Sequence, residues 1–118
     1  MKSIMNKLLQ ILTVLAILMT LASNASAQTV YKVDYESQAD IKVYKVDYES
    51  QCDLKVYMVD YESQADEDGL WYYVDYESQA DKTIYFVDYE SQADLKIFYV
   101  QYESQAGWQN SSKKSLLD

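Results

Sequence analysis

Carboxylates spaced two residues apart recur along the chain and are its most chemically suggestive feature. The pair first appears as Asp34 and Glu36, and its Asp-Tyr-Glu-Ser-Gln string returns at residues 47, 60, 75 and 88, with Gln101 replacing Asp in the last copy. Paired carboxylates could serve glycoside hydrolysis, and oxygen-rich repeats could bind calcium. An active site, however, needs one pair whose surroundings differ from those of the others. We therefore interpret the pairs as structural and expect no enzyme activity, no catalytic residue, no cofactor and no metal site.

The residue types that the chain lacks exclude further chemistry. It has no histidine, which is the commonest general base and zinc ligand near neutral pH, and no arginine, the usual bidentate phosphate clamp. Neither an EF-hand loop nor a glycine-rich calcium repeat is present. The formal net charge is −9, and an acidic surface repels nucleic-acid phosphates and anionic lipid. We expect no nucleic-acid partner.

Residues 1–27 are typical of a secretory signal peptide. Lys2 and Lys7 precede an apolar run from residue 8 to residue 22, and Ala25-Ser26-Ala27 forms a small-residue cleavage site. The run is short for a membrane span, which needs about 20 apolar residues. We expect cleavage after Ala27, export to the periplasm or the cell exterior, and no stable membrane insertion afterwards.

The rest of the chain is dominated by internal repeats. Asp34, Asp47 and Asp60 are spaced 13 residues apart, Asp75 follows after 15, and the step of 13 then resumes. The sequence therefore predicts a tandem-repeat β domain over residues 28–108, with three repeats (30–66), a spacer (67–70) and three more repeats (71–108). Residues 109–118 have lost the pattern and are predicted to be a flexible tail.

Each repeat reads as a strand followed by a turn. The first strand is predicted over residues 30–35, where valine and tyrosine dominate. Because Tyr31, Val33 and Tyr35 share a face that hardly varies between repeats, we assign that face to the core. Glu36 to Asp40 is predicted to form a turn region with a single helical or 3₁₀ turn, too short to be a stable helix by itself. Cys52, the only cysteine, replaces a recurrent alanine and is interpreted as a small buried residue; an intermolecular disulfide is the alternative.

The third position of the strand varies most, and it is the one position that we assign to binding. It is Lys32, Lys45 and Met58 in the first half, and Tyr73, Phe86 and Tyr99 in the second half. These last three residues form a possible binding face on the outward side, suited to a glycan or cell-wall ligand. Trp71 and Trp108 are interpreted as plugs over exposed edges of the core.

The repeated unit Val-Asp-Tyr-Glu-Ser-Gln-Ala-Asp-Leu-Lys, flanked by Val/Ile-Tyr-x-Val, resembles one known family. This is a family of small bacterial proteins of unknown function built from tandem copies of nearly this string, and the match runs from Val30 to Trp108. Its members have a deep seven-crossing backbone knot. The resemblance implies two intertwined three-repeat halves joined by the glycine-containing spacer, and it brings no known active site.

We therefore expect an all-β fold of six short strand-turn repeats with intertwined, knotted halves. Without the resemblance, the spacing favours a two-sided β-solenoid, which is the alternative. The expected function is that of an acidic, tyrosine-rich, exported and non-enzymatic module, kinetically stable and protease-resistant. We expect a monomer whose partner is a protein or a glycan, and the alternative function is glycan or cell-wall binding through exposed aromatic residues.

Overall fold

A computed structural model describes residues 28–118, so the predicted signal segment lies outside the described residues. The strands are β1 (Thr29–Lys32), β2 (Ile41–Lys45), β3 (Leu54–Met58), β4 (Leu70–Tyr73), β5 (Lys82–Phe86), β6 (Leu95–Tyr99) and the short β7 (Gly107–Trp108). The six longer strands correspond to the six repeats, as predicted. Each strand ends before the Val-Asp-Tyr segment, so the predicted strand over residues 30–35 extends too far.

The six longer strands close into a parallel barrel. Their order around the sheet is β4-β1-β5-β2-β6-β3, and β3 also pairs with β4. The short strand β7 adds to β3 in the antiparallel direction. The alternative that we had left open, a two-sided β-solenoid, is wrong, because the strands close into a barrel in which only β3 and β4 are both consecutive and paired.

Every ladder in this barrel joins one half of the chain to the other. Strands β1, β2 and β3 come from the first half, β4, β5 and β6 from the second, and the two sets alternate around the ring. Pairs such as Val30 with Lys82 and Ile41 with Ile84 show a stagger of two residues from each strand to the next. A constant stagger tilts the strands, as closure of a barrel requires. Neither half contains a strand pair of its own.

Alternate strand residues fill the barrel with aliphatic side chains and one tryptophan. The buried cluster includes Val30, Ile41, Val43, Leu54, Val56, Trp71, Ile84, Leu95 and Ile97. Trp71 is fully buried, and its indole Nε1 has no hydrogen-bond partner among the described residues. Trp71 therefore lies inside the core, whereas we had placed it over an edge.

The predicted core face is only partly correct. Val33 is buried, but Tyr31 is half-buried and Tyr35 is 68% exposed. The period-two rule fails here because the strand ends at Lys32, so Tyr35 belongs to the connection. A six-stranded barrel is also too narrow to hold several tyrosines in each layer, and branched aliphatic residues fill it instead.

The connections between strands form 3₁₀ turns, which is one of the two forms that we expected. All six copies of Glu-Ser-Gln, beginning with Glu36–Gln38, adopt this conformation. Because successive strands run in the same direction, each connection must return along the outside of the barrel. The first turn contacts β5 and the fourth contacts β1, so the connections cross over strands of the opposite half.

The spacer between the halves depends on Gly69 and Asp68. Gly69 has φ +88°, and a Cβ atom there would lie 2.5 Å from the carbonyl oxygen of Lys55. The carboxylate of Asp68 accepts a hydrogen bond from Trp108 Nε1 at 3.1 Å and lies 3.6 Å from Lys114 Nζ. The spacer, which directly precedes the second half, is thus held against the C-terminal segment by side-chain contacts.

The end of the chain is folded back onto the barrel. Ser111–Leu117 forms a 3₁₀ helix, and Leu117 is 1% exposed within the core cluster. Asn110 begins this helix, and its side chain donates to the Asp53 carboxylate at 3.1 Å. We had predicted a flexible tail because residues 109–118 lack the repeat pattern. Nothing in the sequence of that segment indicated these contacts.

Cys52 is buried and unpaired, in agreement with its interpretation as a small buried residue. Burial raises the pKa of its thiol. Within residues 28–118, no helix is long and apolar enough to cross a membrane. The same residues contain no group of three or more carboxylate or thiol side chains placed to hold a metal ion.

Candidate functional site

The last residues of the six parallel strands surround one opening of the barrel. In order around the ring they are Tyr73, Lys32, Phe86, Lys45, Tyr99 and Met58. Five of these side chains, all but Met58, line a wide, open depression of about 430 Å³ that we call the mouth pocket. This volume lies in the range of small-molecule sites.

The alternation of the two halves explains the composition of the mouth pocket. In the sequence, Lys32 and Lys45 belong to the first half, and the aromatic residues at the same repeat position belong to the second. Interleaving places each lysine between two aromatic neighbours. Lys32 Nζ lies 5.4 Å from the centre of the Phe86 ring, and Lys45 Nζ lies 5.3 Å from that of Tyr99. Both distances fit cation–π contacts.

Two tyrosines of the mouth pocket are coupled through their hydroxyl groups. The Oη atoms of Tyr73 and Tyr99 are 3.0 Å apart. Burial, together with the hydrogen bond to Tyr99, raises the pKa of the Tyr73 phenol. Burial also raises the pKa of the Tyr99 phenol, although its bond to Tyr73 acts in the opposite direction. Both phenols are therefore neutral over the physiological pH range.

The structure brings together the three residues predicted as a binding face. Tyr73, Phe86 and Tyr99 share the mouth pocket, but they are half-buried and pack against the core cluster. They surround the opening, whereas we had placed them in a row on the outward side. We had not predicted that Lys32 and Lys45 lie beside these three rings. The sequence gives no sign of it, because the neighbours of each strand come from the opposite half.

A second surface feature consists of the six identical Tyr-Glu-Ser-Gln turns. Their tyrosines, which we call the tyrosine ring, are Tyr35, Tyr48, Tyr61, Tyr76, Tyr89 and Tyr102, each 65–68% exposed. The turn glutamate forms an ion pair with a strand lysine in three copies, as in Glu36 with Lys42 at 3.3 Å. The Tyr-Glu-Ser-Gln residues are identical in all six copies. By contrast, the buried strand position of Val30 is occupied by valine, isoleucine or tryptophan in the other repeats.

The repeated carboxylates divide into two groups in the structure. Asp34 and Glu36 are exposed, as are their counterparts in the next two repeats. The aspartate that ends the repeat instead binds the opposite half, and Asp40 Oδ2 accepts from the Thr83 backbone N–H at 2.9 Å. These contacts provide a structural role for that aspartate.

Comparison with known proteins identifies the family. A family described as the 7(1) septoil knot domain matches residues 27–109. The chain belongs to the septoil knot family. The match covers all six repeats and the spacer, in agreement with the resemblance seen in the sequence. No curated protein and no solved structure matches the chain.

Proposed function

We propose that this septoil knot protein is an exported, non-enzymatic module whose backbone forms the 7(1) knot of its family. In this proposal the knot makes the fold kinetically stable and protease-resistant. The supporting observation is the strand order, in which every ladder joins opposite halves of the chain. The chain passes twice around the ring, and the strands of the second circuit lie between those of the first. Such winding is the pattern of a torus knot.

The strand order also predicts slow unfolding. When one strand leaves the barrel, it breaks its ladders with two strands of the opposite half, so neither half can unfold without disrupting the other. A knotted chain must in addition withdraw a terminus through the barrel before it is fully extended. Both requirements raise the unfolding barrier, and resistance to proteases follows the rate of unfolding when cleavage outpaces refolding.

A spacer-cleavage experiment tests this proposal. A specific protease site is inserted between Asp66 and Glu67, and the folded mature chain is cut there or left intact. We expect the intact chain to resist pepsin and proteinase K, and the cut chain to be digested at least about tenfold faster, because its two halves can separate without threading. The uncut insertion variant is the matched control. Equal digestion rates of cut and uncut chains, or rapid digestion of the intact chain, would contradict the proposal.

The tyrosine ring supports a second candidate function, which is binding of a glycan or another cell-wall polymer. Six exposed tyrosines, each followed by Glu, Ser and Gln, provide aromatic surfaces beside hydrogen-bonding groups. Their repetition would suit a repeating ligand, since linked weak sites gain affinity by avidity. The structure favours these tyrosines over Tyr73, Phe86 and Tyr99 for stacking, because those three rings are half-buried.

Graded substitution in the tyrosine ring tests this second candidate. Variants with one, three and six Tyr→Ser changes are compared in sedimentation with insoluble peptidoglycan. Avidity predicts little loss with one change and nearly complete loss with three or more. The double variant Tyr73→Phe/Tyr99→Phe is the control and keeps full binding. Retention of binding by the six-site variant would show that the tyrosine ring is not the binding surface.

A further inference from the structure

The two lysines of the mouth pocket have no carboxylate partner among the described residues. In the same part of the chain, Lys42, Lys55, Lys96 and Lys114 each have a carboxylate within 4.0 Å, while Lys82 and Lys113, which lie outside the mouth pocket, have none. Lys32 and Lys45 lie over aromatic rings instead. The formal net charge of the chain is −9, but the charged side chains that line the mouth pocket are these two lysines. Two ammonium groups at one opening favour contact with an anion.

The remaining wall of the mouth pocket favours an apolar, flat ligand. Three aromatic rings and the lysine stems form the lining, and the rings pack against the buried core cluster. An anion held beside such rings interacts more strongly with an ammonium group than it would in bulk water. Inorganic phosphate or chloride would leave the rings uncovered, whereas an aromatic acid would cover them.

The tyrosine pair supplies a further donor. Only one hydroxyl hydrogen is used in the contact between Tyr73 Oη and Tyr99 Oη, so the other hydroxyl can donate to a ligand. Both phenols are neutral at physiological pH, so neither repels an anion. The pocket therefore combines two ammonium groups, one phenolic donor and an aromatic wall around a single cavity.

We propose that the mouth pocket binds a small organic carboxylate with a flat apolar body, such as an arylcarboxylate. The carboxylate lies between Lys32 and Lys45 and accepts from the tyrosine pair, while its ring covers the aromatic wall. The proposal does not depend on the knot or on the tyrosine ring. Resistance to proteases and peptidoglycan sedimentation can therefore fail or succeed without deciding it.

Fluorine NMR with 4-fluorobenzoate tests this site on the folded mature chain. We expect saturable binding with a dissociation constant of about 1 mM or tighter. The neutral probe 4-fluorobenzamide, which has the same ring, binds about tenfold more weakly because it makes no charged contact with the lysines. Raising the salt concentration weakens binding of the acid but not of the amide.

A pair of double variants locates the site. Lys32→Met/Lys45→Met reduces binding of 4-fluorobenzoate about tenfold, since both ammonium groups are lost. Lys42→Met/Lys96→Met is the matched control, because it removes the same charge from lysines paired with Glu36 and Glu90, and it leaves binding unchanged. Lys32 and Lys45 are exposed, so their replacement keeps the fold, as circular dichroism would verify.

Three results would overturn the proposal. The first is the absence of saturable binding by 4-fluorobenzoate. The second is equal binding of the acid and the amide, which would mark a merely apolar cavity. The third is an equal loss in both double variants, which would show that overall charge and not the mouth pocket attracts the anion.

Discussion

The side chain of Asp53 is joined to the backbone of Lys96 across the two halves of the chain. Asp53 Oδ2 accepts from the Lys96 N–H at 2.9 Å. In the equivalent bond with the halves exchanged, the Lys42 N–H donates to Asp94 Oδ2 at 3.0 Å. Related bonds join Asp40 to Thr83 and Asp81 to Thr29. The last aspartate of the repeat thus holds the start of a neighbouring strand that lies 43 or 52 positions away.

Replacement of Asp53 is therefore expected to destabilise the protein. Asp53 is 5% exposed and also accepts from Asn110, so Asp53→Ala leaves two donors without their acceptor. A lost buried partner of this kind costs about 1–3 kcal/mol of unfolding free energy. Equilibrium urea denaturation of residues 28–118 measures the change.

Asp66→Ala is the matched control for this measurement. Asp66 occupies the same repeat position, but it is exposed and precedes the spacer. We expect its replacement to change the unfolding free energy by less than about 0.5 kcal/mol. Similar losses in the two variants would show that the bond to Lys96 contributes little.

Glycine is required at position 69 for a steric reason. Its φ of +88° disfavours other residues, and a Cβ atom would lie 2.5 Å from Lys55 O and 2.8 Å from Gly107 N. Both contacts are with backbone atoms, which cannot move aside without displacing β3 or β7. Gly69→Ala should therefore lower the unfolding free energy by more than about 3 kcal/mol, with backbone strain contributing about 1–3 kcal/mol of that loss.

Gly107→Ala separates the clash from the strain. Gly107 also has a positive φ, of +142°, but no atom lies within 4 Å of the position of its Cβ. We expect a loss limited to about 1–3 kcal/mol of strain, smaller than that of Gly69→Ala in the same thermal or urea unfolding assay. A larger effect at Gly107 would contradict the close packing of the spacer.

The C-terminal segment is predicted to stabilise the barrel through Leu117. This residue is 1% exposed and belongs to the core cluster, whereas the neighbouring Leu116 is only partly buried. Leu117→Ala should cost about 2–5 kcal/mol, the usual range for a buried leucine. Leu116→Ala is the control and should cost less. An unchanged unfolding midpoint for Leu117→Ala would support a flexible tail.

Local features of this chain could be read from its sequence because they depend on nearby residues. The step from Asp34 to Asp47 predicts the repeat, and Glu36 to Asp40 predicts the turn. The buried state of Cys52 was predicted from the general tendency of cysteine to be buried. Each of these predictions needs only a few consecutive residues and the general preferences of strands and turns.

The arrangement of the repeats could not be read in the same way. Six nearly identical strands can pair in many orders, so Val30 gives no sign that its partners are Tyr73 and Lys82. The resemblance to the family, and not the residue pattern, predicted intertwined halves. The error at Tyr35 came from extending the strand alternation into a connection. The mouth pocket was only partly foreseen, because its lysines and aromatic rings meet through the strand order.

The tyrosine pair of the mouth pocket predicts a loss of stability at alkaline pH. The pKa of Tyr73 is raised in the folded protein, mainly by burial and then by its bond to Tyr99. The neutral phenol is therefore favoured by folding. Its contribution is fully present below the unfolded pKa of about 10 and is lost as the pH rises from there towards the folded pKa. Tyr99 contributes in the same direction.

The double variant Tyr73→Phe/Tyr99→Phe removes this linkage. Urea denaturation between about pH 8 and pH 11.5 should show that the variant loses less unfolding free energy than the wild type, because phenylalanine does not ionise. Tyr35→Phe/Tyr48→Phe is the control, since it removes two hydroxyls from the exposed tyrosine ring and should keep the wild-type pH profile. If both double variants follow the wild-type profile, the Tyr73–Tyr99 pair does not control alkaline stability.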